Sequence, residues 1–263
     1  MIAQQNSIEI KATLDHVKSQ LNIQQKIVYY NTSDQELESV FLHNWANSFK
    51  NRKTALSKRF IESYQKNLYF AKKEELGATD IKNISVNFET VDYRTLEKQI
   101  DILEIPLKEN LKQNDSIIIN ATYSVKIPNA KFTNYGKTKT GYQLRYWYLN
   151  PAVHHKKWHL MSNLNNDDLY EIPTNYNLDL KLSKDYKVNS NLKKHKTNGK
   201  KFNHFHFTGK QKVDIILAID KTNTFKIYKT KNLAVHTDIL DVSIDDKLAT
   251  NMLDRELKFL EKY

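Results

Sequence analysis

The chain has 263 residues, 40% of them hydrophobic, enough for a sizeable core in one large domain or two small ones. It contains no cysteine and no run of about 18 apolar residues, which excludes disulfides, thiolate chemistry and a membrane-crossing helix within this sequence. The formal charge is +11 and unevenly spread: residues 181–231 hold 14 Lys, no Arg and three acids, while the remainder balances 27 basic against 27 acidic residues. Nucleic-acid surfaces usually use Arg for bidentate and stacking contacts, so an all-Lys region reads instead as the solvated edge of a sheet, and no nucleic-acid partner is expected.

In chain order, Ala3-Gln4-Gln5 looks like the far side of a cleaved signal peptide, so the expected location is the cell envelope, periplasm or exterior. The absence of Cys fits a cytoplasmic protein equally well. Residues 7–14 alternate polar and apolar as a half-buried strand does, and 18–23 and 25–30 follow in the same style. Asn31-Thr32-Ser33-Asp34 is a turn by composition, and Leu37–Trp45 is a further strand. Residues 53–76 then place Leu56, Phe60, Ile61, Tyr64, Leu68 and Ala71 at helical spacing, with Gly77 as the expected C′ residue. Strands resume at 81–88, 99–105, 116–127 (closed by Pro128), 142–148, 176–182, 202–208, 213–219, 225–228 and 234–242. From Asp245 to Tyr263 the period is helical again, with Asp245 or Asp246 as N-cap and no C-cap signal. The expected fold is mainly β. It consists of saddle-shaped or sandwich-like antiparallel sheets with one inserted helix (about 53–76) and a C-terminal helix (about 246–262) that leads into further chain.

The densest chemistry lies in YQLRYWYLNPAVHHKKWHL, Tyr142–Leu160, where aromatics, an Asn-Pro turn and His154, His155 and His159 come together. A metal site, a sugar platform and a folded corner all fit such a composition. A catalytic zinc helix of the H-E-x-x-H type needs a Glu directly after the first His. None of the nine His is followed by Glu; His155 and His159 have the spacing, but residue 156 is Lys. His204 and His206 share one strand face without an evident third ligand. Asp167-Asp168 lies in a polar loop, and neither a nucleophile elbow nor a Gly-rich phosphate loop is present. The chain by itself offers no catalytic residue and no metal ligand.

Two motifs carry a resemblance. Ile27–Phe49, with Tyr29, Asn31, Ser33, Leu42, His43, Trp45 and Asn47, is similar to the opening of the N-terminal domain of aminopeptidase N-type zinc metallopeptidases, with Ala46 where a Pro is usual. In particular it resembles the branch found in Bacteroidetes-like bacteria. RYWYLNPAVHHKKWH is similar to a second segment of that branch through Trp147, Tyr148, Pro151, Ala152, Val153, Lys156, Lys157, Trp158 and His159. The third and weakest likeness is Lys212–Ile219 followed by the C-terminal helix.

The resemblance implies that residues 1–243 form the family's saddle-like β domain and that 244–263 open a catalytic domain. It implies zinc in that other domain, none in this chain, and two partners: the catalytic domain and a peptide substrate held by its free amino end. Where the family's pattern expects the Gln that accepts a hydrogen bond from the substrate ammonium, this chain has Tyr146. Tyr146 can accept through its hydroxyl or offer its ring face, Arg145 beside it is expected to repel an ammonium, and Trp147 completes the cleft candidates. Two other readings stay open on the residues alone. One is a β-sandwich module stacking carbohydrate on Tyr142, Trp147 and Trp158. The other is an envelope module binding an anionic polymer through Lys193, Lys194, Lys200 and Lys201.

Overall fold

The computed structural model describes residues 5–165, 168–195, 202–222, 226–230, 234–237 and 245–260. Alternation sets the first layer. In β1 (Ser7–Asp15), Ile8, Ile10, Ala12 and Leu14 are buried and their neighbours face outward. β1 pairs antiparallel with β2 (Gln20–Tyr30) and parallel with Thr174–Ser183. These are central strands of an eight-stranded sheet, ordered Lys193–His195, Phe202–Lys212, Thr174–Ser183, β1, β2, Ser116–Lys126, Ala78–Val86, Glu89–Thr90. The Lys-rich region thus does form a sheet edge, at Lys193–His195; Lys200 and Lys201 lie outside the described residues.

Two smaller sheets form the second layer. One runs Asn150–Pro151, β3 (Leu37–His43), Gln99–Leu111, Arg94–Leu96. The other runs Lys187–Ser190, Leu217–Asp220, Gly141–Leu144, Gly136–Lys137. Ile8, Ile10, Ile23 and Ile27 of the large sheet join Leu42 and Ile105 of one small sheet and Tyr142 and Leu217 of the other in a single apolar core. The mainly β, antiparallel, sandwich-like expectation with an inserted and a C-terminal helix is met.

Several boundaries differ from the sequence reading. The strands expected at 18–23 and 25–30 are one continuous strand, because Gln25 occupies an inward position and is buried there. The strand expected at 142–148 stops at Leu144. The strand expected at 234–242 is described only over Ala234–Thr237, and Phe225 of the preceding one lies outside the described residues.

The inserted helix is short. α1 (Ala55–Glu62) begins at Thr54, whose Oγ1 accepts from the Ser57 N–H at 3.2 Å. It ends in a Schellman-type cap: the Gln65 N–H reaches the Phe60 carbonyl at 2.7 Å, the Tyr64 N–H reaches that of Ile61 at 3.0 Å, and Tyr64 has φ +60°. Leu56, Phe60 and Leu68 still meet Phe49 and Phe132 in a small second core, Leu68 by way of a turn rather than continued helix. Gly77 is therefore not a helix cap. A Cβ there would lie 2.7 Å from Pro128 Cδ and 2.8 Å from the Lys126 carbonyl, so close packing is what requires glycine.

The C-terminal helix, α2 (Asp246–Leu260), is started by Asp245, whose Oδ1 accepts from the Leu248 N–H at 2.8 Å. It lies beside the strand Lys226–Lys229, and Lys226 pairs with Asp246.

Candidate functional site

The segment Arg145–Tyr148 leaves its strand because Tyr146 takes φ +52°, in the left-handed region. Its far end is fixed from beneath. The Gln25 side chain donates to the Leu149 carbonyl at 2.6 Å and accepts from the Leu149 N–H at 3.2 Å, while Tyr123 donates its hydroxyl to Gln25. Gln25 is the inward polar residue that broke the alternation of β2, so the same residue that blurs the strand in the sequence anchors the site in the structure.

Arg145, Tyr146 and Trp147 line one cavity of about 260 Å³ together with Trp45, Phe49 and Tyr135. The ring of Tyr146 meets Trp45 edge-on at 4.8 Å, and its hydroxyl accepts from the Leu169 N–H at 3.3 Å. Burial holds the phenol above its usual range, so it keeps its proton. Trp147 is 3% exposed, and its Nε1 has no hydrogen-bond partner among the described residues. Arg145 lies over the Tyr146 ring at 4.5 Å and donates to Asp214 and to Asp168, each at 2.7 Å. Its charge is therefore compensated by two carboxylates.

Asn163 and Asn165 add a further wall to the cavity, and the segment 161–165 is held by Trp45, His43 and Asp101, of which the sequence reading passed over only Asp101. The Trp45 Nε1 donates to the Met161 carbonyl at 2.7 Å, and the Met161 N–H donates to His43 Nε2 at 3.1 Å. Asp101, buried, accepts from Ser162 Oγ at 2.9 Å and from the Asn163 N–H at 2.8 Å. Burial lowers His43 to about 4, with the His159 backbone opposing, and raises Asp101 against its hydrogen bonds to the Asn163 backbone and the Ser162 side chain. The motif residues His43 and Trp45 thus serve as pins for this wall, and Asn31 pins a corner in the same way. Its Nδ2 donates to the Gln35 and Leu111 carbonyls at 2.7 and 2.9 Å.

Behind Arg145 lies Glu171, bonded to Asn150 Nδ2. Burial and neighbouring Asp214 push this carboxyl up to about 9, with Arg145 pulling the other way, so it is protonated at neutral pH.

Among the described residues the histidines form no metal site. Val153–His155 and Lys157–His159 make a two-stranded hairpin turning at Lys156 (φ +61°), which sets His154 opposite Trp158 and His155 opposite Lys157. The i, i+4 spacing of His155 and His159 is therefore not helical. His206 instead pairs with Asp179 at 2.8 Å. Among the described residues no three His, Asp or Glu side chains are placed to hold a metal ion, so the residues present do not fit zinc. The sugar platform fails as well: Tyr142 and Trp147 are core residues, and Trp158 packs on Tyr29, Phe41 and His154.

No family model matches the chain, and no curated protein matches it in sequence. Solved structures do match in fold. A two-domain M1 zinc metallopeptidase variant bound to L-tryptophan gives a TM-score of 0.53 at 10% identity, covering 95% of this chain and 52% of that one. The corresponding L-arginine complex gives 0.51 at 10% identity, with 95% and 51% covered. An M1 zinc metallopeptidase variant from Deinococcus radiodurans, bound to a Tyr-Ser-Ala substrate, gives 0.50 at 9% identity, with 88% and 46% covered. At these identities the likeness is one of fold. The chain spans about half the length of the solved structures it matches.

Proposed function

We propose that this chain is the N-terminal β domain of an aminopeptidase-like zinc metallopeptidase of the Bacteroidetes-type branch, and that it shapes and caps one side of the substrate cleft. In this reading residues 1–243 are the β domain and α2 begins the catalytic domain, which supplies zinc and hydrolyses the first peptide bond. The same reading locates the protein in the cell envelope, the periplasm or the exterior. One observation carries the proposal: Arg145, Tyr146 and Trp147, singled out by the resemblance, line a single cavity with the motif residue Trp45, in a fold matching about half of M1 metallopeptidase chains.

The chain's own contribution is positional. With Arg145 neutralised by Asp168 and Asp214, the cavity rim does not repel a substrate ammonium. Tyr146 presents a protonated hydroxyl whose lone pairs accept, in place of the family's amide. The test is expression of the whole reading frame that encodes this chain, assayed on aminoacyl p-nitroanilides. Chelator-sensitive hydrolysis, with KM raised in Tyr146→Phe and kcat little changed, is expected. A reading frame without an H-E-x-x-H segment, or a whole protein that binds no zinc and cleaves no aminoacyl substrate, overturns the proposal.

A further inference from the structure

The Schellman-type cap of α1 puts Tyr64 at a position where glycine is usual, and the side chain is 92% exposed. It is not alone. Within ten residues Ile61 is 40%, Tyr69 38% and Phe70 72% exposed, and Tyr69 and Phe70 form an edge-on pair at 5.0 Å. Phe60 and Leu68, from the same stretch, are buried against Phe49, Leu56 and Phe132. The segment is thus held by its own small core while its remaining large apolar side chains face solvent. Exposed aromatics concentrated in this way mark an interaction surface rather than ordinary scatter.

Charge selects the partner. Residues 50–73 contain Lys50, Arg52, Lys53, Lys58, Arg59, Lys66, Lys72 and Lys73 against a single acid, Glu62. The balance of the chain outside 181–231 hides this concentration in the whole-sequence count. Glu74 and Glu75 follow, and Glu75 is already engaged by Lys131. Arg52 lies over the Tyr69 ring at 5.6 Å, and Arg59 pairs with Glu62 at 3.8 Å. Tyr, Phe and Ile set among Lys and Arg is the composition of segments that seat in the headgroup region of a bilayer: aromatics enter the interface while cations meet anionic lipid.

We propose that the α1 segment, with Ile61, Tyr64, Tyr69 and Phe70 as its inserting side chains, is a peripheral docking site for an anionic membrane surface. The proposal does not rest on the peptidase reading. No helix among the described residues is long and apolar enough to cross a membrane, and this mode of attachment needs none.

The test is co-sedimentation of the 263-residue chain with phosphatidylcholine vesicles prepared with and without phosphatidylglycerol. Binding is expected only to the anionic vesicles and weakening as salt rises. It should fall about tenfold or more in Tyr64→Ser/Phe70→Ser, and again in Lys58→Gln/Lys66→Gln. These positions are exposed, so unchanged circular dichroism shows that the variants fold. Lys193→Ser/Lys194→Ser, at the distant sheet edge, should bind as the parent does. Three results overturn the proposal: no binding at low salt, loss of binding only in the Lys193/Lys194 variant, or self-association of the parent that Tyr64→Ser/Phe70→Ser abolishes. The last would assign the patch to a second copy of the chain.

Discussion

Glu171 carries a proton at neutral pH because its buried carboxyl stands beside Asp214, and its pKa rises from 4.5 to about 9. A group whose folded-state value is raised contributes stability that is complete below about 4.5 and is lost as pH climbs through about 9. Glu171→Gln keeps an acceptor for Asn150 and removes the titration. The variant should therefore be more stable at pH 8 by about 4–5 kcal/mol, a Tm rise of roughly 8–20 °C, and the gain should fall below about 1 kcal/mol near pH 5. Equal gains at both pH values would refute the assignment. His43 acts in the opposite direction. Its value is lowered from 6.5 to about 4, so the unfolded chain binds more protons between these limits, and stability falls as pH drops from 6.5 to 4, by about 3 kcal/mol. Urea midpoints across that range should show the slope, and His43→Gln should flatten it. Gln25→Ala takes the donor from the Leu149 carbonyl and the acceptor from the Tyr123 hydroxyl, leaving only the bond from the Leu149 N–H to Tyr123 at 3.1 Å, a cost of about 2–4 kcal/mol in urea unfolding. Of the site, the sequence shows Arg145, Tyr146, Trp147 and Trp45. It does not show Gln25, Asp101 or Glu171, because a buried polar residue looks like a solvated one until its partners are known. Gln25 alone left a trace, as a polar residue at an inward position of an alternating strand.

Elements were legible where one periodicity persists. β1 follows the alternation of Ile8, Ile10, Ala12 and Leu14, and Ser116–Lys126 follows its β-branched run. They were less legible where the chain turns inside a periodic stretch. Helical spacing continues from Leu56 to Ala71, yet the helix stops at Glu62 because Tyr64 closes it with a left-handed residue, a conformation that propensity does not foresee for Tyr. The strand at Tyr142 is cut at Leu144 for the same reason, by Tyr146. A substitution at Gly141 tests how tightly this short strand is held. Gly141 pairs with Asp220, and a Cβ would fall 1.8 Å from the Ile219 carbonyl oxygen, a backbone atom that cannot step aside without breaking the pairing. Gly141→Ala should cost more than about 3 kcal/mol or abolish soluble expression. Thr54→Ala, which removes the α1 cap and the hydroxyl's bond to the Asn51 carbonyl, should cost about 1–2 kcal/mol. Comparable losses for the two would mean that the strand yields where the geometry says it cannot.

At the scale of the molecule, composition and alternation announce a two-layer β fold, but the order of strands does not follow from them. The parallel pairing of β1 with Thr174–Ser183 joins segments separated by most of the second layer, and nothing local in either strand encodes it. The same layered core leaves α2 outside. Leu248, Met252 and Phe259 are each about half exposed or more, and the helix lies beside the strand Lys226–Lys229 rather than in the main core. A 15-residue helix with so little of its apolar face covered is near the limit of what holds in water. Its amide hydrogens should exchange with solvent orders of magnitude faster than those of β1 and β2, which sit at the centre of the eight-stranded sheet. Deleting residues 245–263 should then shift the Tm of the β layers by less than about 2 °C, since little of the core is touched. If the whole reading frame supplies a domain that covers this face, the same amides should become protected in the longer protein while those of β1 and β2 stay as they are. Slow exchange of α2 in the 263-residue chain would mean instead that the helix is stabilised without such a neighbour, and would remove the reason for assigning it to a second domain.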